Sequence, residues 1–273
     1  MKKQINSSLF FILAILFGSA ALHADTVARQ AEVTSLSGQV EWLKAGEADW
    51  KPATLNQKLD NGDKVRTGTP GEATLTLDEG STLELFGGSE FTVQSLLKDS
   101  ASNKLDSVLA IMKGKLRAHV THLNPGSSFK VETPLMSAVV RGTIFTLTVN
   151  PDGSVTAECS EGTVDLIKEG DNKFLVQTDQ GDQALFEFDP TTNTFKITSL
   201  TGDFDVTGPD GTVTHLKQGE TIVINAGAAT FVPVGGGPGG ATPPPAGEGF
   251  NEATTDGSTG DNDTPLDVPI SGS

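Results

Sequence analysis

Apolar side chains recur at every second position along most of the chain. Ala73, Leu75 and Leu77 alternate with Thr74, Thr76 and Asp78, the period of a strand buried on one face and wet on the other. Leu83/Leu85, Phe91/Val93, Phe129/Val131, Phe145/Leu147/Val149, Val164/Leu166, Phe174/Val176, Leu185 (with Phe186 and Phe188) and Phe195/Ile197 repeat that period. The runs are short and end at Gly, Asp or Pro, which predicts strands separated by tight turns. Helical periodicity is nearly absent. Only residues 96–112 are ambiguous: Leu96, Leu97, Leu105, Val108, Leu109 and Met112 could share a helical face, but the polar stretch 98–104 reads as a loop between strands. The fold class is all-β.

Part of the pattern repeats. Val33-Thr34-Ser35-Leu36-Ser37-Gly38 matches Ile197-Thr198-Ser199-Leu200-Thr201-Gly202, and Gly62, Asp63 and Val65 match Gly219, Glu220 and Ile222. A looser middle copy runs Gly142, Pro151-Asp152-Gly153, Val155, Gly162 and Val164. The last copy keeps that order with Gly202, Pro209-Asp210-Gly211, Val213, Gly219 and Ile222. Pro presets φ, Asp bonds the local backbone and Gly takes a conformation other residues avoid, so each copy is a strand, a turn and a returning strand. A lone hairpin cannot bury its face, whereas stacked copies can. The expected architecture is a short, irregular β-solenoid-like stack of strands and hairpins with a disordered C-terminal tail.

The two ends differ from this pattern. Lys2 and Lys3 precede an apolar run, Leu9 to Phe17, followed by small residues. That is the form of a secretory signal peptide, expected over 1–24. From Gly235 the chain is rich in Gly, Pro and acids and offers almost nothing to bury, so 235–273 is expected to be a disordered, solvating tail. Between them, 25–166 form a first β region and 167–234 a β continuation that repeats the opening unit.

The formal charge is −16 over 273 residues. An acidic surface repels phosphate backbones, so nucleic acid is excluded as a partner. No span is expected to remain in the membrane once the signal is cleaved. The single cysteine, Cys159, rules out an internal disulfide framework and a Cys-based zinc site. It alternates with Val155 and Ala157, which places it on a buried strand face.

Several segments resemble the FecR-domain family. They are Val33 to Val40, Trp50, and Leu59 to Gly68 with Gly62, Asp63, Thr67 and Gly68. Gly71 to Leu85 follows, then Gly114 with Leu116. The most specific stretch is Phe129 to Pro134, with Thr133 and Pro134, followed by Ala138 to Phe145, with Arg141, Gly142, Thr143 and Phe145; Glu161 to Val164 closes it. The resemblance covers roughly residues 33–166. It implies an all-β periplasmic module with a solenoid-like arrangement. Membrane-anchored members relay a signal from an outer-membrane iron-complex receptor to a sigma factor through a cytoplasmic segment. Only about eight residues precede the apolar run here, so no sigma-regulator segment is expected.

Candidate chemistry is sparse. Arg141 sits in an apolar run, and a buried guanidinium requires partners; Asp78, Glu79 or Glu161 are the expected carboxylates. His119 and His122 are three apart, which on a strand directs them to opposite faces, so no metal site is expected. No cofactor and no catalytic residue are assigned, and the acids of the tail, Asp256, Asp261, Asp263 and Asp267, lack the spacing of a calcium loop. The favoured expectation is a periplasmic or secreted, non-enzymatic module that engages, or signals through, an envelope protein or glycan. Two alternatives are a polysaccharide-binding module using exposed Trp42 and Trp50, and a glycan-active enzyme with a carboxylate pair about 5–10 Å apart.

Overall fold

The structure, a computed structural model, describes residues 26–225 and 228–232. The leader expected over 1–24 and the disorder expected from 235 lie outside the described residues. Strands follow one another without a helix among the described residues. They are β1 (Thr26–Ala28), β2 (Ala31–Leu43), β3 (Lys51–Pro52), β4 (Lys58–Leu59), β5 (Lys64–Leu77), β6 (Thr82–Leu85), β7 (Glu90–Asp99), β8 (Leu105–His119), β9 (Ser128–Glu132) and β10 (Ser137–Val140). They continue with β11 (Ile144–Val149), β12 (Val155–Glu161), β13 (Val164–Lys168), β14 (Phe174–Thr178), β15 (Gln183–Asp189), β16 (Thr194–Thr201), β17 (Phe204–Thr207), β18 (Val213–Leu216), β19 (Thr221–Asn225) and β20 (Ala228–Val232). The ambiguous stretch 96–112 is therefore strand, with the turn reduced to the residues between β7 and β8.

Two ladders share the long strands. β5 pairs with β7 through Lys64–Arg66 and with β6 through Ala73–Thr76. β8 pairs with β7 and β9 through its first half, and with β6 and β11 through its second. From β8 one ladder runs β11, β12, β15, β16, β19, β20, and the other β9, β10, β13, β14, β17, β18. The chain thus adds hairpins alternately to the two ladders. Only β8 and β9 run parallel; every other pairing is antiparallel. The stack of hairpins is present, but a solenoid's coil is not what these pairings form. Tight turns return each strand beside its predecessor, where a coil would carry it onward to a parallel neighbour. Both ladders run past residue 167 without interruption.

The ladders face each other across one core. The Phe174 ring of β14 lies 5.6 Å from Phe186 of β15 and 5.8 Å from Phe195 of β16, so side chains of the two ladders interdigitate. Inward positions are those of the period-2 pattern, with one shift: in β15 Ala184 and Phe186 are buried while Leu185 faces outward. Where β8 changes ladders the backbone is tight. Gly114 has φ +85°, and a Cβ there would lie 2.5 Å from Ser89 Oγ and 2.6 Å from Ser89 Cα.

Three corners share one hydrogen-bond plan. At Asp60–Asp63 the Asp63 N–H donates to the Asp60 carbonyl at 3.1 Å, while the Asp63 carboxylate accepts from the Asp60 N–H at 3.0 Å. Gly62 N–H donates to the Val93 carbonyl at 2.6 Å, and Val93 N–H donates to the Asp63 carbonyl at 2.9 Å. Asp179–Asp182 repeats this with Cys159 as the facing residue, and Lys217–Glu220 repeats it with Ser199. The first and third corners are the sequence repeat of Gly62-Asp63 and Gly219-Glu220; the second, at Gly181-Asp182, is not apparent from that repeat. The Pro-Asp-Gly turns also match. Asp152 accepts from Ser154 N–H at 2.9 Å and Asp210 from Thr212 N–H at 3.0 Å.

One corner carries an electrostatic cost. Burial, together with the neighbouring Asp179 and Asp203, raises the Asp182 carboxyl above its usual value of 3.8 despite the Asp179 N–H. Asp60, Asp99, Glu132, Asp152, Asp189 and Asp210 are instead held below their usual values, chiefly by hydrogen bonds. The folded chain therefore binds the Asp182 proton more tightly than the unfolded chain. Its contribution is fully stabilising below the unfolded value and is lost as pH rises through the folded one. Asp182→Asn keeps an oxygen for the Asp179 N–H and removes the charge. The variant is expected to melt higher than the natural chain at pH 7, with the difference shrinking as pH falls towards 4. A variant that melts lower at pH 7 would contradict this.

Candidate functional site

Among the described residues Arg29, between β1 and β2, is a buried cation, with only 3% of its side chain exposed. Its Nε donates to Asp78 Oδ1 at 2.7 Å and its Nη1 to Ser107 Oγ at 3.1 Å. Nη2 meets the carboxylates of both Asp78 and Glu79. The cluster ties the first strands to the turn after β5 and to the start of β8. Glu79 Oε1 is buried and has no hydrogen-bond partner among the described residues.

Arg141 does not form this clamp. It is exposed, and it takes part in no ion pair among the described residues. β10 ends at Val140, so Arg141 enters a turn instead of continuing the ladder. Gly142, at φ +97°, then packs against His122, whose Nδ1 would lie 3.1 Å from an added Cβ. Two of the acids expected beside Arg141, Asp78 and Glu79, do form a clamp, but they hold a different arginine.

The other motif residues fasten turns. Asp63 also accepts from the Ala45 N–H at 2.7 Å. Thr67 Oγ1 donates to the Phe86 carbonyl at 2.6 Å and accepts from Ser89 N–H at 2.9 Å, and the Gly68 carbonyl accepts from Gly88 N–H at 3.1 Å. Thr133 closes the turn around Pro134: its Oγ1 donates to the Met136 carbonyl at 2.8 Å and accepts from Met136 N–H at 3.1 Å. Thr143, buried, donates from Oγ1 to the Thr163 carbonyl at 3.1 Å, and Phe145 lies in the core. Pro134 and Leu135 also wall two open hollows of about 510 and 560 Å³, one beside Lys130 and Ile167, the other beside Asp152 and Phe188.

Cys159 is buried on β12 with Val155 and Ala157. It stands where Ser199 stands in the next unit. Cys159 Sγ donates to the Gly162 carbonyl at 3.2 Å and Ser199 Oγ to the Gly202 carbonyl at 2.6 Å. Burial pushes the thiol up to about 11, which leaves almost no nucleophilic thiolate at neutral pH. Neither tryptophan is an open platform: Trp42 is partly buried against the core, and the Arg66 guanidinium covers Trp50 at 4.3 Å. His119 and His122 are exposed, and no group of three His, Cys, Asp or Glu among the described residues could hold a metal.

The edges of the ladders are treated differently. The outer side of β2 is covered by 51–59: Val33 N–H donates to the Gln57 carbonyl at 2.9 Å, Asn56 N–H to the Val33 carbonyl at 2.8 Å and Ala53 N–H to the Val40 carbonyl at 2.9 Å. At the far end of the second ladder, β18 pairs only with β17 among the described residues. Val213 there is 59% exposed. Period-2 patterning alone does not tell an edge strand from an inner one, so this feature is not legible from the sequence.

No curated protein matches the chain. Two crystal structures described as "a putative anti-sigma factor from Parabacteroides distasonis ATCC 8503" are similar to it at 14% identity, with TM-scores of 0.29 and 0.28; each match covers 62% of this chain and 57% of that one. The chain spans a little over half the length of those structures.

A test of the buried cluster separates the two arginines. Arg29→Met strands Glu79 in the interior and is expected to cost about 3–5 kcal/mol in urea unfolding. Arg141→Met is expected to change stability by no more than about 0.5 kcal/mol. Equal effects would show that Arg29 is not the clamp.

Residues 63–165, an interval that opens at the Asp63 corner and holds both the Thr133-Pro134 turn and the Arg141 to Phe145 segment, match the family described as FecR protein.

Proposed function

We propose that the chain is a non-catalytic signalling or regulatory module that acts in the periplasm or outside the cell by binding an envelope protein. The observation that carries this reading is the edge of β18, which among the described residues pairs with β17 alone, while the edge of β2 is covered. Exposed strand edges are normally blunted, and an edge left open is a ready site for another chain. The leader-like start supports export. The motif residues support a binding role over a catalytic one, since Thr67, Thr133 and Thr143 spend their hydroxyls on backbone groups within turns. A glycan-binding reading has less support, because Trp42 packs on the core and Trp50 lies under Arg66.

Crosslinking of a tagged copy in intact cells, with mass spectrometry of what is attached, tests the proposal. The expected result is one envelope protein recovered reproducibly. Recovery of wall glycan alone, or of nothing above background, would overturn it.

A further inference from the structure

Resting on the protein-partner reading above, we propose that β18 receives an extended basic segment of that partner, which adds to the second ladder as its next strand.

The backbone register says which groups are on offer. Across the β17–β18 turn the Gly208 N–H donates to the Thr212 carbonyl at 2.9 Å, which makes Gly208–Thr212 a hydrogen-bonded pair. Bonded and non-bonded pairs alternate along an antiparallel ladder. The pairs Val206–Thr214 and Phe204–Leu216 are therefore bonded to each other, while Val213 and His215 turn their N–H and C=O groups away from β17. These are the free donors and acceptors of the edge. The side chains divide by the same alternation. Leu216 is fully buried and continues the core, whereas Val213 and His215 stand on the outer face. An incoming strand would place alternate apolar residues beside Leu216 and the others beside His215.

Charge selects those others. The segment from Gly202 to Asn225 holds Asp203, Asp205, Asp210 and Glu220 against Lys217 as its only lysine or arginine. Directly across from His215, Asp205 holds the His215 ring nitrogen Nδ1 on Oδ1 at 2.9 Å, and its side chain still stands 58% exposed. Like charges facing one another across strands are unfavourable and opposite charges favourable. A second copy of this chain would bring the same acidic segment and no lysine or arginine within β18, and a chain of net −16 repels its like. The occupant is thus a partner strand alternating apolar residues with Lys or Arg.

The test uses the whole chain and an end-blocked peptide, Lys-Val-Lys-Val-Lys-Val, followed by amide NMR at low ionic strength. The peptide is expected to shift the Val213 and His215 amides and slow their exchange. The counterpart with Glu for Lys is expected to bind at least tenfold more weakly. His215→Pro deletes an outward N–H that β17 does not use, in a strand whose preceding residue is already extended; it is expected to keep the fold and lose at least tenfold in affinity. Should that variant unfold, Asp205→Lys reverses the charge without altering the backbone and is expected to weaken the lysine peptide and favour the glutamate one. Absence of shifts at these amides, equal binding of the two peptides, or full binding by a folded His215→Pro would each overturn the inference. A cellular partner captured equally by His215→Pro would overturn it while leaving the proposed function standing. Failure of the natural chain to capture any protein would remove the proposed function, and the peptide titration would still decide whether the edge accepts a basic strand.

Discussion

Everything in this fold depends on satisfying the backbone where the chain steps from one ladder to the other. A strand that leaves its neighbours strands its N–H and C=O groups, and an unpaired group inside the protein costs as much as several good contacts contribute. The Gly-Asp corner solves this locally. The glycine reverses the chain at positive φ and gives its N–H to the facing strand, the acid gives its carbonyl to the same residue, and its carboxylate caps the N–H three positions earlier. Because each corner uses a single residue on the facing strand for both bonds, it fixes the register of the next hairpin. Repetition of the corner is what lets hairpins be laid alternately on two ladders without a helix to space them.

The Arg29 cluster works on the opposite problem. β1 is short and exposed throughout its three residues. Little apolar burial is available there, so a charge-assisted knot takes over, joining residue 29 to positions about 50 and 78 residues later. Such a knot is not a strong source of net stability, since both partners must be desolvated. Its effect is on uniqueness: Arg29 can satisfy its donors only if the turn after β5 and the start of β8 are both in place. Glu79 Oε1, buried and without a hydrogen-bond partner among the described residues, is a residual cost of that arrangement.

Strands and turns are legible in the sequence because both depend on local chemistry. Period-2 alternation marks the inward residues of β5, β6, β9 and β11, and Pro-Asp-Gly marks two turns whose carboxylates bond as the residue types require. What depends on distant contacts is not legible. Arg141 lies in an apolar run that reads as buried, yet the ladder stops one residue before it. Arg29 lies between short strands in sequence, with nothing there to name its distant partners, and it ends up buried. Antiparallel hairpins and a coil of strands share the same alternation, so periodicity alone cannot separate them. Alternation is enough to put Cys159 on a buried face, but its equivalence with Ser199 emerges only when both are seen bonded to the same kind of corner.

The asymmetry of the two ends links fold to function. A ladder built by adding hairpins has no internal reason to stop, since each new strand offers an edge as good as the last. At the β2 end the loop 51–59 folds over the edge and pairs with it, which ends growth there. At the β18 end nothing equivalent pairs with the second ladder among the described residues. The residues that would ordinarily blunt such an edge are lysine and proline, and Val213–Leu216 contains neither. The surrounding acids substitute for them in part. They repel a second copy of the same acidic chain, and with it open-ended self-association, while leaving the hydrogen-bonding groups of Val213 and His215 free for a strand of opposite charge. On the proposed reading, the same negative charge both disfavours self-association and selects a strand of opposite charge.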